Sequence, residues 1–203
     1  MDRPQPPDSL FDAPDGIFVP APELIAWATD TFILPGAPLW NEEHAHLQFA
    51  DLGALWTNVG NGRHGNRIVG QCEVGRPQAM GKWAKVRAEM QVRSWFGCIP
   101  DFIITIDAAY ARECEDATFC SLTEHELLHA GQEKDGFGAP KFRRDGSPAF
   151  AIRGHDVEEF VSIVDRYGVG AAAGRTADLV AAAARDPCVA PANIAHACGT
   201  CRA

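Results

Sequence analysis

His125-Glu126-Leu127-Leu128-His129 places two imidazoles four residues apart with a carboxylate next to the first. On a helix, residues i and i+4 share a face one turn apart. Two such imidazoles can bind one Zn²⁺ at ~2.0–2.1 Å each. Glu126 then reaches a water on the metal rather than the metal itself. Zinc lowers the pKa of that water toward ~7, so Glu126 is the candidate general base for hydrolysis of a carbonyl polarised by the same ion. It can return the proton to the departing amine. In a sequence with 7 His, chance gives this pattern in roughly one per cent of cases.

A catalytic zinc site needs a third protein ligand and an open position. Asp135 stands where the pattern HExxHxxGxxH would put one, but Gln132 replaces the required glycine. His155 is the favoured candidate, at the start of an expected helix HDVEEFVSIVDRYG. Glu159, one helical turn on, would orient it through a hydrogen bond. Glu158, Glu159 and, less favoured, Asp156 are the alternative ligands from that helix.

The elements around these residues follow from apolar spacing. PELIAWATDTFI reads as a helix with Pro22 at its first position. Residues 41–58 fit either helix or strand. A strand is expected over Ile68–Val74, a helix within Arg76–Phe96, and a strand at Phe102–Ile106, whose run FIITI is β-branched. Ser121 and Glu124 form a capping-box pattern, which predicts a helix from about Leu122 that ends by Gly136. Asp145-Gly146 marks a hairpin or extended loop. One more helix is expected over Thr176–Arg185.

The stretch HELLHAG and GHDVEEF, preceded by WFGCIPDF and PDFIITID and followed by a YG, resembles the phage metallopeptidase family, over roughly Phe49–Gly168. The resemblance implies a small zincin-like domain encoded by a phage or prophage, with His125, His129 and His155 as metal-site residues. It supplies no substrate. By analogy with such folds, Phe102–Ile106 or its neighbour would be the edge that aligns an extended peptide.

The expected organisation is therefore α+β: a Pro-rich, disordered start at 1–20, a zincin-like domain at 21–186 and a Cys-containing tail at 187–203. The expected function is zinc-dependent peptide hydrolysis with Glu126 as base. The alternatives are a zinc amidohydrolase acting on a non-protein amide and a non-catalytic zincin-like binding protein. Cys188, His196, Cys198 and Cys201 have the chemistry of a small structural zinc site, but their spacing reads as reduced, unliganded tail cysteines. His44 and His46 read as surface residues.

The net charge of −9 argues against a nucleic-acid surface. No run of about 18 apolar residues is present to span a membrane. The first residues lack the apolar core of a secretory signal, and seven cysteines at irregular spacing make a poor disulfide framework. The expected compartment is cytoplasmic, that of the host if a phage encodes the chain.

Overall fold

Alternating side chains along two β-rich runs, Leu52–Thr57 and Phe102–Asp107, build the centre of a mixed sheet. The computed structural model describes residues 2–14, 16–63, 65–170, 174–192 and 197–200. In chain order the helices are α1 (Ser9–Asp12), α2 (Pro22–Ala28), α3 (Lys82–Phe96), α4 (Ala108–Glu113), α5 (Asp116–His129), α6 (Val161–Tyr167) and α7 (Arg175–Ala183). The strands are β1 (Phe18–Pro20), β2 (Leu52–Thr57), β3 (Asn61–Arg63), β4 (Asn66–Val74), β5 (Phe102–Asp107), β6 (Ala130–Gln132), β7 (Phe150–Ile152) and β8 (Ala197–Cys198). A π-turn at Thr29–Ile33 extends α2, and a 3₁₀ segment spans Glu42–Phe49.

The main sheet runs β1-β2-β5-β4-β3, with β8 added against β4. β2 and β5 are parallel, while β4 is antiparallel to β5. Side chains alternate across the sheet with a period of two. Ala54, Trp56, Phe102, Ile104 and Ile106 join the core under α2 and α5, with Leu24, Phe119, Leu122 and Leu127. Leu55 and Ile103 point to the other face and meet Val92, Trp95 and Phe96 of α3. The chain is thus a small mixed sheet between helical layers, an α+β arrangement, as the sequence pattern predicts.

Several elements differ from expectation. Helix α5 starts at Asp116, not near Leu122. Ser121 lies in its interior because Phe119 and Leu122 already belong to the buried stripe, and Asp116 suits the positive end of the helix. It ends at His129, where the chain turns directly into β6. Helix α6 starts only at Val161, so His155 does not lie on it. Residues 153–156 are instead tied back to the end of α5: Arg153 N–H donates to His129 O at 2.9 Å, and the Arg153 side chain pairs with Asp156 at 2.8 Å. Strand β5 has neighbours on both sides and offers no edge to a peptide. Among the described residues, no helix is long and apolar enough to cross a membrane.

The Pro-rich start, expected to be disordered, packs on the domain. Leu10 is fully buried, and β1 pairs with β2. Arg3 donates to Ala111 O and Cys114 O, each at 2.6 Å, and to Asp116 Oδ1 at 2.7 Å. It therefore satisfies carbonyls at the end of α4, which lack intrahelical partners, and holds the start of α5. Its guanidinium also lies 4.7 Å from the Phe119 ring centre. These contacts give the segment an anchor that its proline content conceals. Arg3→Ala is expected to lower stability by roughly 1–3 kcal/mol, seen as a lower Tm. An unchanged Tm would mean that the segment does not brace α5.

Candidate metal centre

Helix α5 crosses β4 with Glu126 facing the strand, and the approach is close because position 70 has no side chain. A Cβ on Gly70 would lie 2.7 Å from both Glu126 Oε1 and Leu122 Cδ1. An interior strand glycine is a signal of such an approach, and it is legible in the run RIVGQCEVG. Glu126 is fully buried, and its Oε1 has no hydrogen-bond partner among the described residues. Burial raises its pKa to about 8, and the neighbouring Cys198 sulfur adds to the rise.

One turn on, His129 is buried and fixed in orientation. Its Nδ1 donates to Arg153 O at 2.6 Å, which turns Nε2 toward the centre of the site. His125 Nε2 lies 3.2 Å from His129 Nε2 and 3.2 Å from His155 Nε2. His155 reaches this point by a route that periodicity does not reveal. Strands β6 and β7 form an antiparallel hairpin directly after His129, and the returning strand delivers Arg153, Gly154 and His155 beside α5. Desolvation lowers the His155 pKa, with His129 adding to the effect, which favours the neutral ring that metal ligation requires.

Cys198 Sγ completes the group, 3.2 Å from His129 Nε2 and 3.9 Å from Glu126 Oε2. The ligand atoms of His125, His129, His155 and Cys198 all lie within 4.8 Å of one another. An ion bound tetrahedrally at ~2.0–2.1 Å needs nitrogens about 3.3 Å apart. The 3.2 Å spacings match that need, and the imidazole–thiol donor set suits zinc. A 120 Å³ cavity lined by His125, Leu128, His129, Arg153, His155 and Asp156 opens the site to solvent.

The other candidates lie elsewhere. Asp135 Oδ1 accepts the amides of Phe137 and Ala139 in an exposed turn. Glu159 Oε1 accepts the Phe160 amide at 2.8 Å, and Asp156 pairs with Arg153 and Arg175. Neither they nor Glu158 join the cluster of donor atoms. With α6 starting at Val161, the helical-turn relation expected between Glu159 and His155 does not exist. His44 is buried, with its Nε2 3.8 Å from Glu124, and His46 Nε2 donates to Ala130 O at 2.7 Å. His44 is thus a buried group facing α5, and His46 is half-buried against the hairpin, where the sequence pattern predicts surface residues. Of the tail set, Cys198 joins the main site, Cys188 is exposed, and His196 and Cys201 lie outside the described residues. The sequence pointed to Cys198 only as part of a separate tail cluster, and it gave no sign of Thr200. The Thr200 hydroxyl lies 3.3 Å from Glu126 Oε2.

A sequence model of the family described as Putative phage metallopeptidase matches residues 25–184. Neither the curated proteins nor the solved structures contain a match.

Two expectations follow from Gly70 and Glu126. Gly70→Ala must displace buried atoms, and its overpacking should cost roughly 1–3 kcal/mol, measurable by denaturant unfolding; a neutral result would mean that α5 is not seated closely on β4. In metal-free protein, the folded state keeps a Glu126 proton that the unfolded chain releases once pH exceeds the ordinary carboxyl value of 4.5. Stability should therefore fall as pH rises from about 4.5 to about 8, and Glu126→Gln should flatten that fall. Equal pH slopes for the two proteins would contradict the burial argument.

Proposed function

Since the chain belongs to the Putative phage metallopeptidase family, we propose that it is a zinc-dependent peptidase, zincin-like in arrangement, that hydrolyses peptide bonds with Glu126 as general base. The observation that carries this reading is the convergence of three imidazole nitrogens beside a buried carboxylate. His125, His129 and His155 would hold the metal. The bound ion supplies Lewis acidity, which activates water and polarises the scissile carbonyl.

The chain's own groups do the rest. Arg153 O fixes the tautomer of His129, so that its Nε2 lone pair faces the ion. Glu126 takes the proton of the attacking water and hands it to the departing amine. Burial raises its pKa to about 8 in the metal-free site, and a bound cation would oppose that rise, leaving an ionised carboxylate able to accept the proton. Packing of Leu122 and Glu126 against the Gly70 backbone leaves the carboxylate fully buried from bulk water. The substrate is an extended protein or peptide segment.

The sequence also allows a non-catalytic metal-binding protein, and one observation favours it. Cys198 would give the ion a fourth protein ligand, and a closed set of four is typical of structural zinc. Against it stands Glu126, whose burial beside the metal is costly and has no use in a structural centre.

The test compares metal content and hydrolysis of a denatured-protein substrate. Wild type should carry about one zinc per chain, lost in His125→Ala and in His155→Ala. Glu126→Gln should keep the zinc and lose about 10²–10⁴-fold in rate. Zinc retained in His155→Ala would remove it as a ligand, and full activity in Glu126→Gln would refute its role as base.

A further inference from the structure

The tail segment Ala197–Thr200 lies along β4 as a strand. Ala197 pairs with Ile68 and Cys198 with Gly70, in parallel. Gly199 N–H donates to Gly70 O at 2.8 Å. The Thr200 hydroxyl spans the next edge groups: it accepts from Cys72 N–H at 2.7 Å and donates to Cys72 O at 2.8 Å. The tail thus uses the backbone groups of the strand that α5 packs against, beside the metal-site histidines. Its cysteine points at the ligand cluster, and its threonine sits beside Glu126.

From these contacts we propose that residues 197–200 form an inhibitory latch. The tail occupies the strand edge that receives an extended peptide, and Cys198 takes the metal position that substrate and water need. This rests on the zinc-peptidase reading above. Coordination requires the thiolate, so the S–H proton passes to solvent as the sulfur–metal bond forms, and no oxidation state changes. The Thr200 N–H, 3.3 Å from Cys198 Sγ, supports the sulfur's charge.

The local sequence suits this seat. A Cβ at Gly199 would meet Gln71 Oε1 at 2.7 Å and Ile68 Cγ2 at 2.9 Å, so glycine lets the tail lie against β4. The matched family span ends at residue 184, before the tail. The latch is also built to release: β8 is two residues long, and residues 181–190 that lead toward it are exposed. A peptide that pairs with the edge groups of Gly70 and Cys72 competes for the same hydrogen bonds.

The experiment loads full-length protein with Co²⁺ and follows absorption, with acetohydroxamate as a metal-directed probe. Wild type should show a sulfur-to-cobalt charge-transfer band in the near ultraviolet. Cys198→Ser should bind as much cobalt, lose the band, and bind acetohydroxamate roughly tenfold or more tightly than wild type, because the open state is no longer a minor population. Gly199→Val keeps the thiol but obstructs the seat, and should also weaken the band and tighten probe binding. Cobalt bound in wild type without the sulfur band overturns the latch while leaving the metal site intact. Cobalt lost in Cys198→Ser as fully as in His125→Ala makes Cys198 a structural ligand and also overturns it. Failure of wild type to bind cobalt at all overturns the metal-site reading together with the latch.

Discussion

Burial of the Glu126 carboxylate at the crossing of α5 and β4 constrains the rest of the structure. Taking a carboxyl group out of water is costly where a polar atom finds no partner, and here Oε2 has Thr200 and Cys198 nearby while Oε1 has none among the described residues, so the surrounding packing must repay the cost. The repayment comes from Phe119, Leu122 and Leu127 on the same helix, set against Trp56, Ile104 and Ile106 of the sheet. Gly70 makes the crossing possible, since any side chain there would strike Glu126 or Leu122. Arg3 and the start of the chain then secure the far end of α5. The contact of the N-terminal segment at Asp116 and the candidate ligands His125 and His129 thus lie on one helix.

The histidines depend on a second device, the β6–β7 hairpin. An HExxH helix supplies two ligands by its own geometry, but the third must arrive from elsewhere at a defined height. Here the hairpin starts at the residue after His129, and its return strand is hydrogen-bonded back to His129 through both backbone groups of Arg153. The Arg153 guanidinium adds ties to Glu43 and Asp156. His155 therefore sits two residues past a fixed point. This accounts for how an exposed residue, outside any helix or strand, is brought within 3.2 Å of His125 Nε2.

The sequence disclosed the parts governed by local rules. HELLH lies on a helix with both imidazoles on one face, as its spacing predicts, and FIITI is a strand by side-chain shape. His155 could be chosen as a candidate by chemistry, but its placement on a helix was wrong, because tertiary ties to α5 override the periodicity of residues 155–168. The capping box at Ser121 misled for a related reason: the same i, i+3 pair occurs inside a helix whose start is set by packing. Roles assigned by long-range contact were not legible. Arg3 is separated from Asp116 by more than half the chain, and Cys198 lies far in sequence from the helix it faces.

Proton balance links these contacts to the proposed chemistry. Without metal, burial holds Glu126 near a pKa of about 8, so at neutral pH the carboxyl is mostly protonated. Its Oε2 accepts at 3.3 Å from the Thr200 hydroxyl, whose proton is shared with Cys72 O at the shorter distance of 2.8 Å. A divalent cation among the histidines reverses the preference, because its field favours the ionised carboxylate. Metal binding should thus expel a proton from Glu126 and, where the tail is seated, another from Cys198. Two neighbouring anions would then share one cation, and Glu126 Oε1 has no hydrogen-bond partner among the described residues to answer its charge. Release of Cys198 removes one of those anions. On that account the latch restrains the base as well as the metal, and an incoming peptide that displaces it frees both together.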